Sequence, residues 1–146
     1  MDESKTMGKK VAIKLAFVLS IFVGSNSMAH SLNSCPNTPN CVSSLATGKD
    51  QHVAPLKYTG NLDVAKTKLL NIIKGMPRTK IITLDESYVH TTFTSLIFRF
   101  TDDVEFLFDD ESKLVQLRSA SRVGRSDLGV NRKRVEEIRL RFEQSN

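Results

Sequence analysis

Long apolar runs are missing from this chain of 146 residues. The longest, Leu15 to Val23, has nine residues, whereas a membrane-spanning helix needs about 20. Cysteine is scarce: only Cys35 and Cys41 occur, and no second Cys or His pair stands at ligand spacing. A zinc site would therefore lack its other two ligands, and no cofactor is implied. No internal repeat or low-complexity tract is present, so the chain is neither a solenoid nor a disordered polar segment. A strong excess of one charge is absent too. The whole chain carries +5, far from the dense cationic neutralisation on which nucleic-acid binding rests. What is present is apolar content of 40%, enough for one packed core at this length.

The N-terminus stands apart from that core. Lys5, Lys9, Lys10 and Lys14 precede the nine-residue apolar run, and Ser27-Met28-Ala29 then offers small residues where a signal peptidase reads. This three-part pattern predicts a cleaved secretory signal over residues 1–29 and an exported chain, periplasmic or extracellular. Its removal takes four of the 21 Lys and Arg and two of the 16 acids, leaving 17 against 14 and a net charge of +3. No transmembrane span is expected after the leader. In an exported chain, two cysteines read as a Cys35–Cys41 disulfide, which closes a short loop and contributes about 2 kcal/mol on the chain-entropy model. Leu32-Asn33-Ser34-Cys35 also fits a lipid-attachment pattern, although its Leu lies well past the apolar run.

Residues 30–54 are rich in Pro, Asn, Ser, Thr and Gly, which predicts an irregular arm carrying the disulfide. Residues 55–146 then form a single domain. Val53 to Tyr58 suits a short edge strand, with Pro55 tolerated at an edge. From Asn61, a plausible N-cap, Leu62, Ala65, Leu69, Ile72, Ile73 and Met76 recur at helical spacing until Gly75 and Pro77 end the helix.

A β region follows from Lys80 to Arg122. Alternation sends Val89, Phe93, Phe98, Phe100, Val104, Phe106, Phe108, Val115 and Leu117 to one side, and His90, Thr92, Arg99, Glu105, Gln116 and Arg118 to the other. An antiparallel sheet with one covered face fits that pattern. A one-residue slip would invert a strand's faces, so keeping the aromatic side together pairs Phe106 with Leu117 and Phe108 with Val115. Glu105 then faces Arg118, and Asp110 faces Lys113 across a Glu111-Ser112 turn. The last element is a helix from Asn131 to Gln144, with Val135, Ile138 and Phe142 as its buried stripe. The expected fold is a two-layer α+β domain: an antiparallel meander with two helices packed on one face.

The segment Arg118 to Glu136, R-S-A-S-R-V-G-R-S-D-L-G-V-N-R-K-R-V-E, is the candidate site. It passes from a strand through Gly124 and Gly129 into the last helix. Arginine forks match carboxylate or phosphate, and a helix start adds backbone N–H donors. Arg118, Arg122, Arg125, Ser126, Asn131 and Arg132 therefore form a candidate set for a small anionic ligand or an envelope partner. Arg132, Lys133 and Arg134 oppose the helix dipole, at a cost of a few tenths of a kcal/mol each unless acids compensate. The competing reading has the arginines pairing with Asp102, Asp103, Glu105 and Asp127 inside the fold. Catalytic groups are harder to assemble. Asp102, Asp103 and Glu105 lack the loop spacing of a hard-metal site, and nothing places His90 or His52 against Ser119, Ser121 or a free thiol.

Four blocks resemble an exported family: C-P-N-T-P-N-C-V-S-S at Cys35–Ser44, P-L-K-Y at Pro55–Tyr58, F-R-F-T-D-D-V-E-F at Phe98–Phe106, and the arginine segment. This is the domain-of-unknown-function family 1499. The resemblance covers most of the chain after the leader and implies a fold unit without an assigned activity. One departure is Asp109-Asp110-Glu111-Ser112-Lys113, where the family often carries a Gly-containing turn.

Overall fold

The computed structural model describes residues 30–144; the signal-peptide assignment to residues 1–29 lies outside the described residues. The elements run β1 (Cys41–Ser43), β2 (Leu56–Lys57), α1 (Leu62–Lys74), β3 (Thr79–Leu84), β4 (Tyr88–Thr94), β5 (Thr101–Asp109), β6 (Leu114–Ser121) and α2 (Val130–Gln144). All strand pairs are antiparallel, in the order β1-β6-β5-β4-β3, with β2 sharing the β6 edge with β1. The fold is α+β, as the alternation and helical spacing require. No helix among the described residues is long and apolar enough to cross a membrane.

Local chemistry sets the element ends. The Asn61 side chain accepts from the Asp63 N–H and opens α1, and Gly75 closes it. In the β5–β6 hairpin Phe106 pairs with Leu117, Phe108 with Val115 and Glu105 with Arg118, the register that face alternation demands. Its turn forms without glycine. The Asp109 carboxylate accepts from the Glu111 and Ser112 N–H groups, Lys113 takes the left-handed conformation (φ 56°), and its ammonium meets Asp110 at 2.7 Å. Asx hydrogen bonding thus does what a glycine does elsewhere.

Both helices pack on the aromatic face, where Leu69, Ile73, Val104, Phe106, Leu117 and Ile138 are fully enclosed. Two aromatic residues expected there are not. Phe98 and Phe100 lie on the connection between β4 and β5 and are 73% and 51% exposed. The strand alternation begins only at Thr101, the first residue of β5, where Asp102 takes the first helix-side position and meets Arg134 of α2. The two rings stand on the loop that precedes β5, stacked on one another at 5.5 Å and open to solvent. Arg99 also leaves the extended conformation (φ 56°), so it is a loop residue and not part of a strand's polar face.

The opposite sheet face is covered as well. His30 stacks on Tyr88 of β4, with ring centroids 4.1 Å apart, and pairs with Asp85. Cys35 is bonded to Cys41 of β1. β4 and β1 stand three strand spacings apart, about 14 Å, which five extended residues span. The arm therefore crosses β5 and β6, and Tyr88, Thr92 and Glu105 beneath it are buried. Its C-terminal part is less irregular than its composition implies: residues 41–43 are strand β1.

The two kinds of phenylalanine should respond differently to truncation. Phe106→Ala is expected to cost about 3–5 kcal/mol in urea unfolding, and Phe98→Ala no more than about 0.5 kcal/mol. An equal loss at Phe98 would contradict the exposed loop.

Candidate functional site

The arginine segment starts on β6 and ends in α2, and strand alternation divides its cations between the two sides of the sheet. Arg118 and Arg122 point to the arm side. Arg118 meets Glu105 at 3.0 Å, and Glu105 also accepts from the Tyr88 hydroxyl at 2.8 Å. Burial, reinforced by that bond to a carboxylate, pushes the Tyr88 phenol well above its ordinary range. Arg122 forks onto Asp103 with two bonds of 2.8 Å, and His90 reaches the same carboxylate at 2.8 Å. The hydrogen bonds from Arg122 hold the Asp103 carboxyl below its usual value, against the opposing effect of burial. His90 thereby joins Asp103 and Arg122 in a row of polar contacts across the arm side of the sheet.

On the helix side, Asp102 points the opposite way from Asp103 and receives Arg134 of α2 at 2.6 Å. Arg134 also donates to Asn131 Oδ1 at 2.8 Å and Ser119 Oγ at 3.2 Å, and its guanidinium lies over the Phe93 ring at 4.8 Å. Asn131 is fully enclosed. Its amide donates to the Asn40 carbonyl (3.1 Å) and Ser121 Oγ (2.9 Å), and its oxygen accepts from Ser119 Oγ and Arg134. Every donor and acceptor of that side chain is used. Asn131 and Arg118 are therefore not open to a solvent-borne ligand, and Ser119 and Ser121 are spent within this network.

The start of α2 resolves the charge conflict that its sequence poses. Asp127 sits in front of the helix, and its carboxylate accepts from the N–H groups of Gly129 (3.0 Å) and Asn131 (2.7 Å). An anion at a helix N-terminus offsets the dipole that three cations oppose. Arg132 donates to the Asp50 carbonyl at 2.8 Å, which ties the helix to the arm. Of the candidate set, Arg125 and Ser126 stay on an exposed loop, where Ser126 Oγ accepts from the Leu128 N–H. Among the described residues Arg125 meets no carboxylate. The remaining histidine, His52, shares a hydrogen bond of 3.1 Å with the Ala46 carbonyl. No group of three or more His, Cys, Asp or Glu among the described residues is placed to hold a metal ion.

Sequence reasoning missed Asn40 and Asn131 as hubs. Asn40 donates to the Gly124 carbonyl at 2.6 Å and accepts from Thr38 Oγ1 at 2.7 Å, linking arm to loop. An asparagine in a polar arm and one at a helix start both resemble ordinary turn residues, so no local signal separates them.

Two outcomes test the network. Asp102→Ala strands a buried guanidinium and should cost about 3–5 kcal/mol. Asp103 acts through pH: a carboxyl depressed in the fold stabilises above its ordinary value of 3.8 and loses that contribution as pH falls below it. In an acid titration at fixed urea, Asp103→Asn should lack the part of the wild-type loss that falls below pH 3.8. An unchanged acid limb would show that the Arg122–Asp103 pair contributes nothing.

Comparison with known proteins agrees with the sequence blocks. A search of curated proteins found no match to this chain. The profile of a family described as "Protein of unknown function (DUF1499)" matches residues 31–142, which takes in the disulfide arm, the sheet, both helices and the whole arginine segment. The chain belongs to the DUF1499 family.

Proposed function

We propose that this protein is a non-enzymatic accessory protein of the cell envelope, exported by its N-terminal leader, whose arginine segment is first of all structural. The observation that carries this reading is the capping of three arginines by three acids: Arg118 on Glu105, Arg122 on Asp103 and Arg134 on Asp102. A site built to receive an external anion presents its guanidinium forks to that anion, and these three guanidinium groups already meet internal carboxylates. The Cys35–Cys41 bond supports the exported assignment, since disulfides persist in oxidising compartments.

A second reading keeps anion recognition but moves it to the loop. Arg125 is exposed and without a carboxylate partner among the described residues, and Ser126 stands beside it. Arg125 and Ser126 alone would then hold a small phosphate or carboxylate.

Thermal unfolding separates the two. On the structural reading, phosphate and citrate raise the melting temperature no further than chloride at matched ionic strength, and Arg118→Ala lowers it by roughly 10 °C. A phosphate increment that Arg125→Ala abolishes would instead establish the loop as an anion site, because only a ligand selective for the folded state shifts the transition.

A further inference from the structure

The end of the sheet where the β4–β5 connection and the arginine loop emerge is unlike the rest of the surface. Four backbones meet there side by side. Thr94 donates to the Arg78 carbonyl at 3.1 Å, Thr94 pairs with Thr101, and Arg122 donates to the Thr101 carbonyl at 3.1 Å. The loops at 95–100 and 122–129 therefore leave the domain at one end, beside the first turn of α2.

Seven of the twelve exposed large hydrophobic side chains among the described residues are at this end. Leu96, Ile97, Phe98 and Phe100 come from the first loop, with Ile97 at 79% exposure and the two phenylalanine rings stacked at 5.5 Å. Val123 and Leu128 come from the second, Leu128 at 95%, and Val130 from the start of α2. Soluble surfaces scatter such residues singly, and a cluster marks an interaction site.

Cations are interleaved with them: Arg78, Arg99, Arg125 and Lys133, all exposed. The acids of the same region are already engaged. Asp103 holds Arg122, Asp127 accepts two backbone N–H groups, and Glu137 meets Arg141 at 2.7 Å. The end is thus apolar at its tips and positive around them, and among its described acids only Asp127 lacks a cationic partner.

We propose that this end docks on an anionic phospholipid surface, with the Leu96–Phe100 tip entering the headgroup boundary and the four cations meeting lipid phosphates. Charge complementarity selects an anionic partner, and the high exposure of the apolar side chains between the cations favours a bilayer. The apolar side chains stand on two loops and the helix start beside them, 48% to 95% exposed, and a fluid interface accommodates them without a matching surface. Apolar area plus basic residues is the combination that holds a protein at an anionic membrane surface. The inference uses only cations outside the capped set, so its failure would leave the structural role of Arg118, Arg122 and Arg134 standing.

The chain has no tryptophan, so the full chain carrying Phe98→Trp has one local reporter. Leu140→Trp, ten residues along α2 from Val130, is the control. The expected result is a blue shift of the Phe98→Trp probe with phosphatidylglycerol vesicles, and quenching by brominated acyl chains. Phosphatidylcholine vesicles should leave it unshifted, and the Leu140→Trp probe should not respond. Adding Arg99→Glu and Lys133→Glu should weaken vesicle affinity by roughly tenfold or more. The proposal is overturned by an unshifted Phe98→Trp probe, by equal shifts on both lipids, or by an equal shift at Leu140→Trp. A concentration-dependent blue shift without vesicles would also overturn it, assigning the patch to a second copy of the chain. Should Phe98→Trp fail to fold, Ile97→Trp on the same tip reads the same contact.

Discussion

Arg134 and Asp102 form the contact on which the rest of the architecture depends, because they fix where α2 begins relative to β5. Two charges that are each about nine-tenths buried are tolerated only if their remaining donors and acceptors find partners. Asn131, Ser119 and the Phe93 ring supply them. Asn131 then reaches Ser121 and, through its amide, the Asn40 carbonyl of the arm. One satisfied polar cluster thus sets the positions of a helix, two strands and the arm together. An apolar core of similar volume would pack as tightly, but it would leave the helix freer to slide.

The sheet between these layers is covered on both faces by different means. Two amphipathic helices bury the aromatic side, which is hydrophobic packing of the usual kind. The arm crosses the polar side, where the side chains beneath it are charged and must be paired before they are covered. Glu105 with Arg118 and Tyr88, and Asp103 with Arg122 and His90, meet that condition. The disulfide at one edge of the sheet and the His30 stack near the other hold the arm in place. A short chain with a modest core gains from a crossing segment pinned at both ends, since its entropy of release is reduced.

Cations fall into two classes once their surroundings are known. Arg118, Arg122 and Arg134 terminate on carboxylates, and Arg78, Arg99, Arg125 and Lys133 at the open end meet none among the described residues. This division, rather than the density of arginine along the chain, separates what holds the domain together from what faces outward. It also accounts for the exposed phenylalanines. The helix layer ends at the first turn of α2, and the loops beyond it form an apolar and basic tip that no internal element covers.

Strand pairing and helix limits were legible in the sequence because they follow from local periodicity. Alternation across Phe106, Phe108, Val115 and Leu117 admits one register, and the charges at Glu105 and Arg118 agree with it. Asn61 and Gly75 bracket α1 by capping chemistry alone. The cysteine pair likewise announced a disulfide, whereas the arginine segment fitted an anion site and internal ion pairs alike. Periodicity states which side a residue faces, but not whether anything lies on that side. Phe98 was assigned a face by alternation and ended in solvent, because the chain from Ser95 to Phe100 leaves the strand conformation and forms a loop. The choice of Asp102 for Arg134, 32 residues away in the chain, and of Asn40 for Asn131, 91 residues away, depended on elements brought together only in the folded chain. Tertiary structure therefore decided which arginines were internal, since the pairing of a charge depends on three-dimensional distance and burial, and neither is written in sequence spacing.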